Sequence, residues 1–216
     1  MEGNRQVFEQ AAKTLGMRAE DLHHEVRADL REAVTQTGTF SSDLKAKTNQ
    51  RLLTLAAHSD AVILTCATLG PAVADLKRSP APIVRADIAL AAAAAKVGGK
   101  IVVLCAAESA VESTRKLFVE HASGNNASVE VVHLPQVWAL FKAGALDSCL
   151  AAIALAADDA YEAGATIVAF AHPWMAPGAD LVRKGRRPLD SPSEALRAAA
   201  QLFGESPALS AKASFR

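Results

Sequence analysis

Three short segments hold most of the groups capable of chemistry. In Thr65-Cys66-Ala67-Thr68-Leu69-Gly70 a thiol ends an apolar run and precedes a possible helix start. Backbone N–H groups and a helix dipole favour an anion there, whether a thiolate or a substrate carboxylate. A small buried hydrophobe is the competing reading of Cys66. In Phe170-Ala171-His172-Pro173-Trp174-Met175-Ala176-Pro177 a histidine follows an apolar run and can serve as acid or base near neutral pH. A structural histidine bonded to a loop carbonyl would occupy the same place. Trp174 and Met175 read first as packing groups. In Cys105-Ala106-Ala107-Glu108-Ser109, Ser109 can cap a following helix, with Glu112 completing a capping box. Cys105 and Cys149 have no evident helper and read as core. His24 and Asp87 lie beside strand-like ends and read as structural.

The elements that would position these residues alternate between strand and helix. Ala61–Cys66 (AVILTC), Lys100–Cys105 (KIVVLC), Ser128–Leu134 (SVEVVHL) and Ala165–Ala171 (ATIVAFA) read as strands. Leu22–Val26 and Pro82–Arg85 are shorter strand candidates. Helices are predicted from Val7 to Leu15, from Asp29, over Leu44–His58, Ile88–Val97, Ser109–His121 and Ala145–Ala163, and over Pro192–Phe203. Ala176–Arg183 can be helical, and the tail after Gly204 is expected to fray. Strands alternating with helices imply a parallel sheet covered on both faces. Ligands of such sheets sit outside the carboxyl ends of the strands, where Cys66, Ser109 and His172 fall.

Composition removes several classes of function. The chain has 216 residues, and its 23 basic and 23 acidic residues balance. Without a basic stripe, nucleic acid is not an expected partner. The apolar run Ile88–Ala95 is too short to cross a bilayer. Met1–Gln10 is polar and lacks a signal-peptide core, so export is not indicated. The cysteines Cys66, Cys105 and Cys149 form neither a disulfide framework nor a zinc pair, which fits a reducing cytoplasm. Alanine-rich helices permit a homo-oligomer without requiring one.

The order of these segments resembles the aspartate/glutamate/hydantoin racemase superfamily. Thr65-Cys66-Ala67-Thr68-Leu69-Gly70 is similar to its first Cys-x-Thr motif, and Ala165–Pro177 to its second strand and helix start. His172 falls where a second cysteine usually stands. Met175-Ala176-Pro177, Val84-Arg85-Ala86-Asp87, the unit from Ile101 to Phe118, and Pro188-Leu189-Asp190-Ser191-Pro192 are similar as well. The resemblance implies an α/β fold of two similar parallel-sheet lobes facing each other across a cleft. Residues 1–98 would form the first lobe, completed by about 186–216, and residues 99–185 the second. Met1–Gln6 leads straight into the first helix, so the first strand of lobe one is expected to be missing.

The resemblance also implies cofactor-independent racemase or isomerase chemistry, in which a proton moves at a carbon α to a carboxylate or carbonyl. Cys66 and His172 would be catalytic, and Thr65, Thr68, Ser109 and Trp174 would hold a small carboxylate-bearing substrate. No nicotinamide, pyridoxal or metal is implied. The alternatives are a single-thiol decarboxylase or cis-trans isomerase, a non-catalytic relative that binds a small acid, and a structural protein without a ligand.

Overall fold

The computed structural model describes residues 3–204 and has the α/β architecture that the alternation predicts, with the two parallel sheets that the resemblance implies. The first sheet pairs β1 (Val62–Leu64) with β2 (Ile83–Arg85) in parallel, Val62 opposite Ile83. The second comprises β3 (Gly99–Cys105), β4 (Ala127–His133), β5 (Ile167–Phe170) and β6 (Leu189–Asp190). Its order is β4-β3-β5-β6, and every pairing is parallel. Among the described residues eight α-helices surround the sheets. They are α1 (Asn4–Thr14), α2 (Ala28–Thr37), α3 (Ser42–Ala56), α4 (Ala86–Val97), α5 (Glu108–Ala122), α6 (Pro135–Lys142), α7 (Leu146–Glu162) and α8 (Ser191–Gly204).

Burial explains these elements. Ile101 through Cys105 on β3 and Ile167 through Phe170 on β5 are all buried, because helices cover both faces of the sheet. On one face Val102, Leu104, Val168 and Phe170 pack with α6, α7 and Trp174. On the other, Ile101, Val103, Ile167 and Ala169 pack with α4 and α5. Between Asp87 and Lys96 helix α4 is apolar on every side, since it also packs against α8. Helix α8 packs on α1, α4, β1 and β2, whereas β6 just before it pairs with β5. No helix among the described residues is long and apolar enough to cross a membrane.

Three local expectations need correction. Leu22–Val26 forms no strand: residues 22–27 run without regular structure between a 3-10 turn (Ala19–Asp21) and α2. The segment finds no strand to pair with, and among the described residues no strand precedes Val62. Helix α6 was not anticipated. Its signals are short: Pro135 in the first turn, then Val137, Trp138 and Phe141 facing neighbouring elements. The segments after Cys66 and His172 are 3-10 rather than α-helical, each with a proline inside. The tail after Gly204 lies outside the described residues.

The Pro188–Pro192 stretch has a clear local role. Asp190 is 1% exposed and stands just before α8. Its Oδ1 accepts a hydrogen bond from the Ser193 N–H at 2.8 Å, and its Oδ2 accepts one from Arg187 at 2.7 Å. This carboxylate therefore caps the helix that joins α1 and α4. Asp190→Ala should lower stability by about 2 kcal/mol in urea unfolding, from the lost cap and the broken charge pair. Asp190→Asn keeps an acceptor for Ser193 and should lose less.

Candidate active site

The two motif residues stand in matching surroundings. Cys66 follows β1 in an extended conformation (φ −102°, ψ 108°) and leads into the 3-10 segment Ala67–Asp75. His172 follows β5 with φ −111° and ψ 135° and leads into the 3-10 segment Pro173–Leu181. In each case the backbone carbonyl accepts the first turn's bond: Leu69 N–H to Cys66 at 3.1 Å, and Met175 N–H to His172 at 3.0 Å. Pro71 and Pro177 sit at the same place in the two segments. Pro173 adds a local cause for the His172 backbone, because a residue before proline is pushed away from helical geometry. The same strand, extended residue and 3-10 turn are thus built twice, once with a thiol and once with an imidazole.

Cys66 is half-buried and lines a cavity of about 150 Å³. Thr65 lines it too, as do the flank of β1 and the Glu25–Arg31 segment. Three arginines stand in its wall, and two are engaged. Arg51 binds Glu25 through two bonds of 2.6 Å, and Arg27 binds Asp29 through bonds of 2.8 and 2.7 Å. Arg31 has no ion-pair partner among the described residues, so it can receive a carboxylate. The turn after Cys66 is held from β2. The Arg85 guanidinium, itself paired with Asp87, lies so close to Gly70 that a β-carbon there would fall 2.6 Å from its Cζ. Asp87 therefore has the structural role expected of it, and His24 stands 3.4 Å from Glu9.

His172 is largely buried, and its Nε2 accepts a hydrogen bond from the Ala107 backbone N–H at 3.2 Å. The Cys105 Sγ lies 3.6 Å from the same nitrogen and 3.5 Å from the Ala107 carbonyl oxygen. Cys105 is fully buried, in keeping with its reading as core, but it does have a neighbour capable of chemistry. Sequence reasoning missed this contact; the paired strands β3 and β5 carry it, with Leu104 opposite Phe170. Trp174 is 9% exposed and lies flat against the imidazole, at 5.5 Å and 3° between planes. Phe141 in turn stacks on Trp174, with ring centroids 4.0 Å apart. Burial drives the His172 pKa down to about 4 and pushes the Cys105 thiol up.

The remaining site candidates are dispersed. Thr68 is exposed on the turn after Cys66, and Ser109 is exposed in the first turn of α5. Helix α5 begins one residue earlier than expected, at Glu108, with Ala107 before it and no side-chain cap. Ser109 is therefore not the capping residue, and its hydroxyl remains open to a ligand. His172 is not among the residues lining the Cys66 cavity. Among the described residues, no group of three or more His, Cys, Asp or Glu side chains could hold a metal ion.

No protein-family model matches the chain, and no curated protein matches it. Its fold is similar to the crystal structure of a "putative Asp/Glu Racemase" from Yersinia pestis. The TM-score is 0.60 at 13% sequence identity, over 94% of this chain and 93% of the other. At that identity the likeness is one of fold.

Burial of a neutral histidine has a signed consequence for stability. The unfolded imidazole takes its proton near its ordinary pKa of about 6.5, while the folded one waits until about 4. Between those values the unfolded state binds more protons, so stability falls as pH falls. The stability at stake is about 3 kcal/mol, complete above pH 6.5 and lost by pH 4. His172→Gln should flatten that part of the pH–stability curve in denaturant unfolding series.

Proposed function

We propose that this protein is a cofactor-independent isomerase of the racemase type. It would act by proton transfer at a carbon α to the carboxylate or carbonyl of a small acid or amino acid. The doubled strand–turn construction carries this reading, because it sets Cys66 and His172 in equivalent places at the carboxyl ends of two parallel strands. The fold-level likeness to a structure named as an Asp/Glu racemase supports it further. In this scheme the Cys66 thiolate takes the α-proton, breaking C–H and forming S–H. The electron pair left on carbon spreads into the adjacent carboxylate or carbonyl, and a proton delivered to carbon from the opposite face, the role proposed for His172, completes the inversion. Hydrogen-bond donors near that oxygen stabilise the charge as it develops. Thr65, Thr68 and Ser109 supply hydroxyls, Trp174 fixes the imidazole plane, and Arg31 offers a cation to a carboxylate that enters the cavity.

A second reading is favoured by the state of His172. A neutral imidazole whose Nε2 is already occupied is a poor match for a second thiol, as expected of a relative that binds a small acid without turning it over. Single-thiol decarboxylation or cis-trans isomerisation would need Cys66 alone.

Solvent exchange tests the proposal. The protein is incubated in D₂O with amino acids, hydantoins and small diacids, and α-deuterium is followed by NMR. At least one acid should gain deuterium, and Cys66→Ser should slow this by about 10²-fold or more. Exchange that survives Cys66→Ser unchanged would sink the thiol mechanism. Saturable binding without exchange on any acid would establish the binding reading.

A further inference from the structure

The cavity beside Cys66 has two kinds of wall. Leu30, Leu52, Val62 and Leu69 line it from α2, α3, β1 and the turn after Cys66, and none is more than 7% exposed. Leu55 and Leu64 line it too and pack with Leu52 and Val62 in one apolar cluster. The buried hydroxyl of this wall, Thr48, donates to the Leu44 carbonyl at 2.7 Å and keeps no hydrogen for a ligand. Arg27, Arg31 and Arg51 are all exposed. The cavity is therefore charged at its rim and apolar at its floor. A volume of about 150 Å³ takes a carbon skeleton of about six atoms.

The rim has a place for one new negative charge. Glu25 holds Arg51 through two bonds, and Asp29 holds Arg27 through two. Both are bidentate pairs, the strongest arrangement of guanidinium and carboxylate. The bond from Arg51 holds the Glu25 carboxyl below the usual carboxylate range, so Glu25 is an anion at neutral pH. Arg31 has no ion-pair partner among the described residues. Three guanidinium groups thus face two carboxylates, and one cation is left over. A second carboxylate on a ligand would have to displace Glu25 or Asp29, or enter the leucine floor without a partner. The first breaks an existing pair, and the second buries a charge uncompensated.

We propose that this cavity selects acids with a single carboxylate and a branched or cyclic apolar body, Arg31 fixing the carboxylate and the Leu30, Leu52 and Leu55 side chains excluding a second one. The selection rests on the isomerase reading only in that the bound acid is the one that reacts; binding stands on the wall itself. Aspartate and glutamate carry two carboxylates and are disfavoured by the same count, although the similar structure from Yersinia pestis is named for them. Cys66 lines the same cavity, so occupancy can be read at its thiol.

Alkylation of Cys66 in the intact protein tests the selection. Cys105 and Cys149 are buried, so iodoacetamide labelling followed by peptide mass spectrometry reports on Cys66. The probes are 4-methylpentanoate, its neutral amide, and butanedioate. 4-Methylpentanoate should slow labelling saturably. The amide and the diacid should each need a concentration about tenfold higher or more, the scale of one charge-assisted hydrogen bond. Arg31→Met, at an exposed position, should erase the difference between acid and amide, and Arg31→Lys should restore part of it. Leu55→Arg adds a second cation and should move the preference toward the diacid; if that variant does not fold, the two Arg31 variants decide. Equal or better protection by butanedioate would overturn the proposal. So would an acid–amide difference that survives Arg31→Met, protection by none of the probes, or a Cys66 that iodoacetamide does not reach.

Deuterium exchange separates this selection from the isomerase reading. Leucine should exchange faster than aspartate. Faster exchange on aspartate would overturn the selection and leave the isomerase reading in place. Selective protection of Cys66 without exchange on any acid would overturn the isomerase reading alone.

Discussion

A strand buried on both faces has no place for a polar side chain, and β3 from Ile101 onward and β5 throughout are such stretches. From Ile101 to Cys105 and from Ile167 to Phe170 no residue is more than 2% exposed. Their ladder satisfies the backbone, and helices satisfy the side chains by contact. Polar chemistry is pushed to the positions after the last paired residue. There the ladder stops and the next N–H groups need partners. Ala107 N–H, two residues beyond the end of β3, meets this need with His172, two residues beyond the end of β5. One constraint thus sets both where the imidazole stands and which of its nitrogens is occupied.

The two lobes meet that constraint with the same local device but different surroundings. After β5, the turn lies in a closed aromatic setting in which Trp174, Phe141 and Trp138 stack in sequence. After β1, the turn is braced by the Arg85–Asp87 pair against Gly70 and flanks an open cavity. Among the described residues β1 pairs with β2 alone, and its other side is covered by the Glu25–Arg31 segment and α3. The first site flanks a cavity lined by guanidinium groups; the second is packed with aromatic rings, and burial there favours the neutral imidazole.

Much of this was legible in the sequence because the core strands are continuous apolar runs. AVILTC, KIVVLC and ATIVAFA announce β1, β3 and β5, and the residues at their ends follow from topology. What escaped is short or non-local. The two-residue strand β6 and the eight-residue helix α6 fall below the length at which periodicity is informative. Leu22–Val26 has the length of a short strand, but among the described residues it has no strand to pair with, and a local reading cannot supply one. The Cys105–His172 contact joins residues 67 apart and depends on the β3–β5 register. Arg31 gave no signal at all, since its significance lies in having no carboxylate paired with it among the described residues while Arg27 and Arg51 do.

The three thiols illustrate why residue type alone does not choose a nucleophile. Cys105 has the better sequence-independent credentials for a catalytic dyad, with an imidazole at 3.6 Å. Yet it is sealed from solvent, and burial raises its pKa, so it stays a thiol. Its imidazole neighbour is also held neutral by burial, and a neutral imidazole whose lone pair is committed to Ala107 cannot take the thiol proton. A dyad needs a free lone pair on the base and a path for substrate to the sulfur, and this pair has neither. Cys149 is buried among α6 and α7, with the Val137 carbonyl as its contact. Among the described residues Cys66 has no imidazole beside it, but it stands in the wall of a cavity that also holds Arg31, which has no ion-pair partner among them. Access and charge favour the thiol that pairing would have passed over.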